Sequence, residues 1–159
     1  MIESLFKKHI EGEEVDLVER YHLSAEYAKD GVETVYFAIY IHATNKRVGE
    51  IDLRFKNSGP MYYYGNVGYH IYEPYRGHSY AYKACRLLLR LAKEVYGMEE
   101  LIITCSPDNL PSLKTLIKLG GEFVEQVAVP IDHELYALNE KQKLIFRYDL
   151  SKYGKDQRF

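Results

Sequence analysis

Apolar residues recur along this chain at two different periods. From Glu33 to His42, Val35, Phe37, Ile39 and Ile41 occupy every second position, which predicts a strand with one buried face. The polar run Thr44-Asn45-Lys46-Arg47 follows as a turn. Val48, Ile51, Leu53 and Phe55 then continue the alternation with an offset at Gly49, so the two runs predict a hairpin. Val15 to Leu23 alternates more loosely and predicts an earlier strand. Between it and the hairpin lies the short segment Ser24 to Val32, with the turn signal Lys29-Asp30-Gly31. Residues 1–14 are polar, and Phe6 and Ile10 at i, i+4 predict a weak helix there. Asn57-Ser58-Gly59-Pro60 breaks the pattern. Tyr62 to Tyr72 predicts another strand, interrupted by Gly65 and Gly68, where glycine marks a bulge or a close backbone approach.

The period then lengthens. Ala81, Ala84, Leu88, Leu91 and Val95, joined by Cys85 and Ala92, predict an amphipathic helix that Gly97 stops. Leu101 to Cys105 is a short apolar run of buried-strand type. Ser106-Pro107-Asp108-Asn109 is a turn suited to cap a second helix, Ser112 to Leu119, which Gly120-Gly121 ends. Phe123 to Val129 and Leu144 to Leu150 predict a last pair of strands around a polar segment, Asp132 to Gln142. The tail from Ser151 to Phe159 is expected to fray. Strands come first, then β-α-β-α-β-β, which predicts a single α/β (α+β) domain over residues 1–159 with a central, mixed sheet.

Composition narrows the field. A chain of 159 residues suits one domain, and 47% hydrophobic residues with a net charge of -2 exclude disorder for most of it. The near-neutral balance argues against a dedicated nucleic-acid or anionic-membrane binder. No apolar run reaches the roughly 18 residues of a membrane helix, and the N-terminus lacks the apolar core of a signal peptide. The expectation is therefore a cytoplasmic protein with no membrane or nucleic-acid partner. Cys85 and Cys105 read as reduced thiols. With no CxxC, no HExxH and no His pair at i, i+4, no metal is expected. Of 16 Tyr, eight fall between Met61 and Tyr82, a stretch whose only full charges are Glu73 and Arg76. That pattern fits an aromatic sheet surface or the wall of a ligand cleft.

Candidate chemistry sits at the junction of the interrupted strand and the long helix: Glu73-Pro74-Tyr75-Arg76-Gly77-His78-Ser79-Tyr80-Ala81. The first-turn amides of a helix lack internal partners, and with the helix dipole they make an anion site. Gly77, Ser79 and Ala81 let an anion approach the backbone, and Arg76 adds a positive charge. The stretch is neither a Walker loop nor a GxGxxG fingerprint.

Arg76-Gly77-His78-Ser79-Tyr80-Ala81 resembles the acetyl-coenzyme A motif of the GNAT superfamily of N-acetyltransferases, which reads Gln or Arg, two residues, Gly, one residue, Gly or Ala. A second signature lies in register: Leu101-Ile102-Ile103-Thr104-Cys105, then Asn109, Ser112 and Leu119-Gly120-Gly121 are similar to the family's strand, its Asn-x-x-Ser helix start and its Leu-Gly ending. The resemblance covers about residues 33 to 150. It implies a GNAT-like fold: a central, mixed, mostly antiparallel sheet of about six to seven strands, splayed between the fourth and fifth, with flanking helices. It implies acetyl-CoA as cosubstrate. Tyr69, His70 and Ile71 would bond the pantetheine amides through their backbone, Gly77, His78, Ser79, Tyr80, Ala81 and Tyr82 would hold the pyrophosphate beside Arg76, and Asn109 and Ser112 would meet the arm from the other side.

The sequence departs from the family at three places. Ser79 stands at the motif glycine, Leu116 at the tyrosine many relatives use as general acid, and Thr104 at a carboxylate some carry on the fifth strand. Candidates for the missing acid and base are Tyr72, Glu50 and His70, with Asp52, Tyr64, Tyr80 and His78 as alternatives and His133, Glu134 and Tyr136 on the acceptor side. Relatives also place two helices between their first and second strands, where this chain has only about Leu23 to Val32. The implied activity is transfer of an acetyl group to a primary amine, of a small molecule or a protein, by direct attack in a ternary complex. The alternative is a coenzyme A-binding domain without transferase activity, serving sensing or interaction; self-association into a homodimer stays open.

Overall fold

The alternating runs form strands in the computed structural model, which describes residues 9–152. β1 (His9–Glu11), β2 (Val15–Leu23), β3 (Thr34–Ile41), β4 (Arg47–Arg54) and β5 (Val67–Ile71) make an antiparallel sheet in chain order. β6 (Glu100–Cys105), β7 (Glu122–Ala128) and β8 (Gln142–Asp149) make a second sheet in the order β6-β8-β7, also antiparallel. The helices are α1 (Tyr80–Glu94), α2 (Leu110–Lys118) and the single turn α3 (Glu134–Ala137).

One face of the larger sheet makes the core. The pairs Leu17 with Ile39, Phe37 with Ile51 and Val35 with Leu53 stack buried side chains across β2, β3 and β4. The apolar stripe of α1, with Ala84, Leu88, Leu91 and Ala92, packs on them and on β6 and β8 through Ile103 and Phe146. By the alternation of a strand, Tyr36, Asp52 and Gly68 lie on the opposite face. The offset at Gly49 has a steric cause: a Cβ there would sit 2.3 Å from the His70 carbonyl oxygen.

The structure corrects two expectations. His9–Glu11 is a strand on β2, not part of a helix, because a neighbouring strand satisfies its main chain, while one i, i+4 contact does not offset helix nucleation. Phe6 and the rest of residues 1–8, and residues 153–159 of the tail, lie outside the described residues; Leu150–Lys152 forms a 3-10 turn. The strand expected from Tyr62 begins only at Val67. Gly59–Tyr62 is a 3-10 turn, Gly65 has φ +72°, and Arg54 Nη1 donates to the carbonyls of Tyr64 (3.2 Å) and Gly65 (3.1 Å), which holds this stretch out of the ladder.

The expected splay between the fourth and fifth strands read from the sequence is present between β5 and β6: the strands form two antiparallel sheets that touch at a single bridge, Gly65 to Ile103. Buried Asn66 fixes that contact. Its N–H donates to the Ile102 carbonyl (2.7 Å), its Oδ1 accepts from Ile102 N–H (2.8 Å), and its Nδ2 donates to the Arg54 carbonyl (2.8 Å). Beyond this staple β5 does not pair with β6, and a wedge opens between them.

Candidate active site

The phase of β5 decides what the wedge can bind. Tyr72 N–H donates to the Val48 carbonyl (2.9 Å), so Gly68, His70 and Tyr72 turn their main chains toward β4. Tyr69 and Ile71 therefore present theirs to the wedge, and Arg76 Nε reaches the same edge, donating to the Ile71 carbonyl (3.0 Å). Of the three residues expected to bond a ligand through the backbone, His70 is thus turned away by the strand's alternation. Across the wedge, Asn109 caps α2 by accepting from Ser112 N–H (3.3 Å). The Tyr69 hydroxyl spans the gap to Ser112 Oγ at 2.5 Å, and burial pushes that phenol far above its ordinary range.

The mouth of the wedge is the turn into α1. Gly77 has φ +92° and Ser79, the N-cap residue, φ +60°. Ser79 makes no side-chain capping bond, so the amides of Tyr80, Ala81 and Tyr82 begin the helix uncapped by it. Cations surround the turn. Lys83 Nζ donates to the His78 carbonyl (3.0 Å) and pairs with Glu14 (2.6 Å), and Lys118 lies 4.3 Å from the centre of the Tyr82 ring. The His78 and Tyr80 rings stack at 5.2 Å.

On the far face of the sheet a groove of about 960 Å³ is lined by Tyr36, Asp52, Arg54, Tyr64, His133 and Glu134, with Asp30 and Val32 at its edge. The segment between β2 and β3, which supplies that edge, contains no helix. Asp52 pairs with Arg54 Nε at 3.1 Å, and each side chain is 19% exposed. Burial pushes the Asp52 carboxyl up, with Arg54 acting against it. Burial and a hydrogen bond to Glu134 push the Tyr64 phenol up. His133 Nδ1 accepts from Leu135 N–H (3.0 Å), so Nε2 carries the proton and donates to the Pro60 carbonyl (2.9 Å).

Glu50, His70 and Tyr72 come together, but outside this groove. The Tyr72 hydroxyl donates to Glu50 Oε2 (3.0 Å), Arg47 Nη2 lies 3.4 Å from the same oxygen, and the His70 and Tyr72 rings meet edge to face at 5.8 Å. They occupy the exposed end of β4 and β5, where Glu50 opposite His70 lies two register pairs beyond Asp52 opposite Gly68. Tyr136 packs under Lys141. Thr104 donates to the Tyr63 carbonyl (2.8 Å), Leu116 is fully buried, and burial pushes the Cys105 thiol up, so none of these offers acid, base or nucleophile. Sequence reasoning passed over Asn66, Arg54 and the Tyr69 hydroxyl; only the glycines flanking Asn66 hinted at them. Among the described residues no group of three His, Cys, Asp or Glu is placed to hold a metal ion, and no helix is long and apolar enough to cross a membrane.

Residues 6–122 match the family model for the acetyltransferase (GNAT) domain. Comparison with curated proteins gives no match. Among solved structures, the chain is similar to an acetyltransferase of the GNAT family from Bacillus anthracis, with 22% identity over 73% of this chain and 66% of that one, at a TM-score of 0.59. An acetyltransferase from Agrobacterium tumefaciens shares 24% identity over 71% of this chain and 59% of its own, at 0.54. The ribosomal L7/L12 alpha-N-protein acetyltransferase RimL, in complex with coenzyme A, shares 10% over 89% of this chain and 98% of its own, at 0.64. The chain thus spans less than two thirds of the first two and nearly all of the third. At these identities the likeness is one of fold.

Proposed function

The chain belongs to the GNAT acetyltransferase family, and we propose that it moves an acetyl group from acetyl-CoA to a primary amine as a single N-acetyltransferase domain. The observation that carries this reading is the wedge. The main-chain edge of Tyr69 and Ile71, which no strand pairs and which Arg76 touches at the Ile71 carbonyl, faces Asn109 and Ser112, and the left-handed turn at Gly77 and Ser79 stands at its mouth. An amide-bearing arm uses such an edge as a peptide does. The pyrophosphate would lie on the amides of Gly77 to Tyr82 with Arg76 and Lys83 beside it, and the thioester would reach the closed end of the wedge, next to Tyr69.

The amine would approach from the groove on the opposite face and attack the thioester carbonyl directly. The N–C bond forms, the C–S bond breaks, and the sulfur leaves with the electron pair. With Leu116 in place of the family tyrosine, we assign the proton donor to the Tyr69 hydroxyl, which the Ser112 contact holds beside the arm's path. Glu50, His70 and Tyr72 are assigned to the surface rim.

Two measurements test the proposal. Acetyl-CoA at 100 times its dissociation constant should stabilise the fold by about 2.7 kcal/mol, and thiol release should appear with some member of a panel of primary amines. An unchanged melting temperature under saturating acetyl-CoA removes the reading of the wedge. Binding without thiol release for any amine removes the transferase and leaves a coenzyme A-binding domain.

A further inference from the structure

We infer that Asp52 is the general base that takes the proton from the acceptor amine, acting through the patch of β5 that Gly68 leaves bare. The inference rests on the acetyl-transfer reading above and adds a residue to it.

Position is the first argument. The wedge is closed by the Asn66–Ile102 staple, so the reacting end of an arm entering from the helix side lies near Tyr69. The residue before Tyr69 is Gly68, and its cross-strand partner is Asp52. A Cβ on Gly68 would lie 2.8 Å from Asp52 Oδ1 and 2.5 Å from Arg54 Nη2. The carboxylate therefore rests directly against the bare backbone of Gly68, and any side chain there would displace it. Asp52 also lines the groove through which an amine would come.

Elimination is the second argument. Glu50 is bound by Tyr72 and Arg47 outside the groove. Glu134 holds the Tyr64 hydroxyl, and Asp30 Oδ1 accepts from Val32 N–H on the loop at the edge. Among the groove carboxylates of the described residues, only Asp52 stands on the strand next to β5.

Chemistry is the third. An alkyl ammonium has a pKa of about 10.4, so attack near neutral pH needs a proton acceptor. Asp52 is buried enough for its carboxyl to be pushed up, which makes it a stronger base than a solvated aspartate, while the Arg54 guanidinium at 3.1 Å opposes that shift. Tyr36 on β3, Glu50 on its own strand and Asp30 on the neighbouring loop complete its charged and titratable surroundings. The step balances: the ammonium gives one proton to Asp52, which passes it to solvent; the freed lone pair forms the N–C bond; the C–S bond breaks and the thiolate takes a proton from Tyr69; the nitrogen then gives its second surplus proton to Asp52 and on to solvent, and Tyr69 regains its proton from solvent.

The experiment compares wild type, Asp52→Asn, Asp52→Glu and the surface control Glu50→Gln in thiol-release assays with acetyl-CoA and the best primary amine. Acetyl-CoA affinity and melting temperature are measured alongside. Asp52→Asn should lower kcat/KM for the amine by about 10²–10⁴-fold with acetyl-CoA affinity within twofold. The limb of kcat/KM that falls below the Asp52 titration should persist in Asp52→Glu, whereas in Asp52→Asn it should give way to a rise with pH that follows the amine's own deprotonation. Should Asp52→Asn fail to fold, loss of the acid limb from wild type or from Asp52→Glu overturns the inference by itself. Asp52→Asn turnover within fivefold of wild type, or an unchanged acid limb, also overturns it. A wild-type protein that binds acetyl-CoA but acetylates no amine instead brings down the transferase reading, a result seen before any variant is made.

Discussion

Replacing Ser79 with glycine should stabilise this protein, an outcome that runs against the usual effect of adding glycine. Ser79 has φ +60° and ψ 28°, in the left-handed region, and its hydroxyl makes no capping bond that the change would remove. An L-residue in that conformation costs roughly 1–2 kcal/mol relative to glycine. Glycine gives back about 0.5–1 kcal/mol because it is freer in the unfolded chain. The net gain is up to about 1.5 kcal/mol, and each 1 kcal/mol raises the melting temperature of a domain of this size by about 2–4 °C. The assay is thermal unfolding of wild type and Ser79→Gly, with calorimetry of acetyl-CoA binding. Affinity should stay within tenfold, roughly 1.4 kcal/mol. Ser79→Glu should abolish binding, since its carboxylate would meet the pyrophosphate at the same amides. A lower melting temperature in Ser79→Gly would refute the argument from backbone strain. Retained binding in Ser79→Glu would place the phosphates elsewhere.

Other consequences follow from the same geometry. Tyr69→Phe should cut turnover by about 10²–10⁴-fold with acetyl-CoA binding intact, and unchanged turnover would make solvent the proton source. Gly121→Ala should destabilise the fold by about 1–3 kcal/mol, read by denaturant unfolding, because its Cβ would lie 2.4 Å from Cζ of buried Tyr148, whose hydroxyl donates to the Leu116 carbonyl. Asp16 and His42 pair at 2.8 Å. Burial alone would push the Asp16 carboxyl up, but His42 and the Ala43 and Gly12 amides outweigh it, and the net shift is down; the Asp16 contact pushes His42 up. The Asp16 contribution is present above about pH 3.9 and lost as pH falls through its lowered value, and the His42 contribution is present below about pH 6.5 and lost as pH rises through its raised one. The stability difference between wild type and His42→Ala should therefore be largest between those limits, and a flat difference from pH 4 to 9 would contradict it.

Most of the scaffold was legible because its periods are clean. Val35, Phe37 and Ile39 on one strand, and Ala84, Leu88 and Leu91 on α1, bury the faces that their spacing announces. The turn into α1 was legible because Arg76 to Ala81 carries its signal in consecutive residues. The groove on the far face was not, since Tyr36, Asp52, Tyr64 and Glu134 meet only through the folding of distant segments. Glu50 and Asp52 share one strand face, so alternation alone gave no reason to prefer either. The choice depends on which of them opposes Gly68, and that is a matter of register. Asn66 was invisible for a related reason: its bonds replace a strand ladder that the pattern of Tyr62 to Tyr72 continues on paper.

The wedge also bears on how the molecule unfolds. Each sheet closes its own ladder, and the main-chain bonding between them is concentrated at the Asn66 staple. The halves are then two units of local opening, held together chiefly by the side chains packed around α1. Amides of β3 and β8 should exchange with solvent deuterium at distinct free energies in the free protein. A pantetheine arm bonded to Tyr69 on one side and to the start of α2 on the other would act as the absent rung. Ligand binding should then bring the two exchange energies together, including at amides that the ligand never touches.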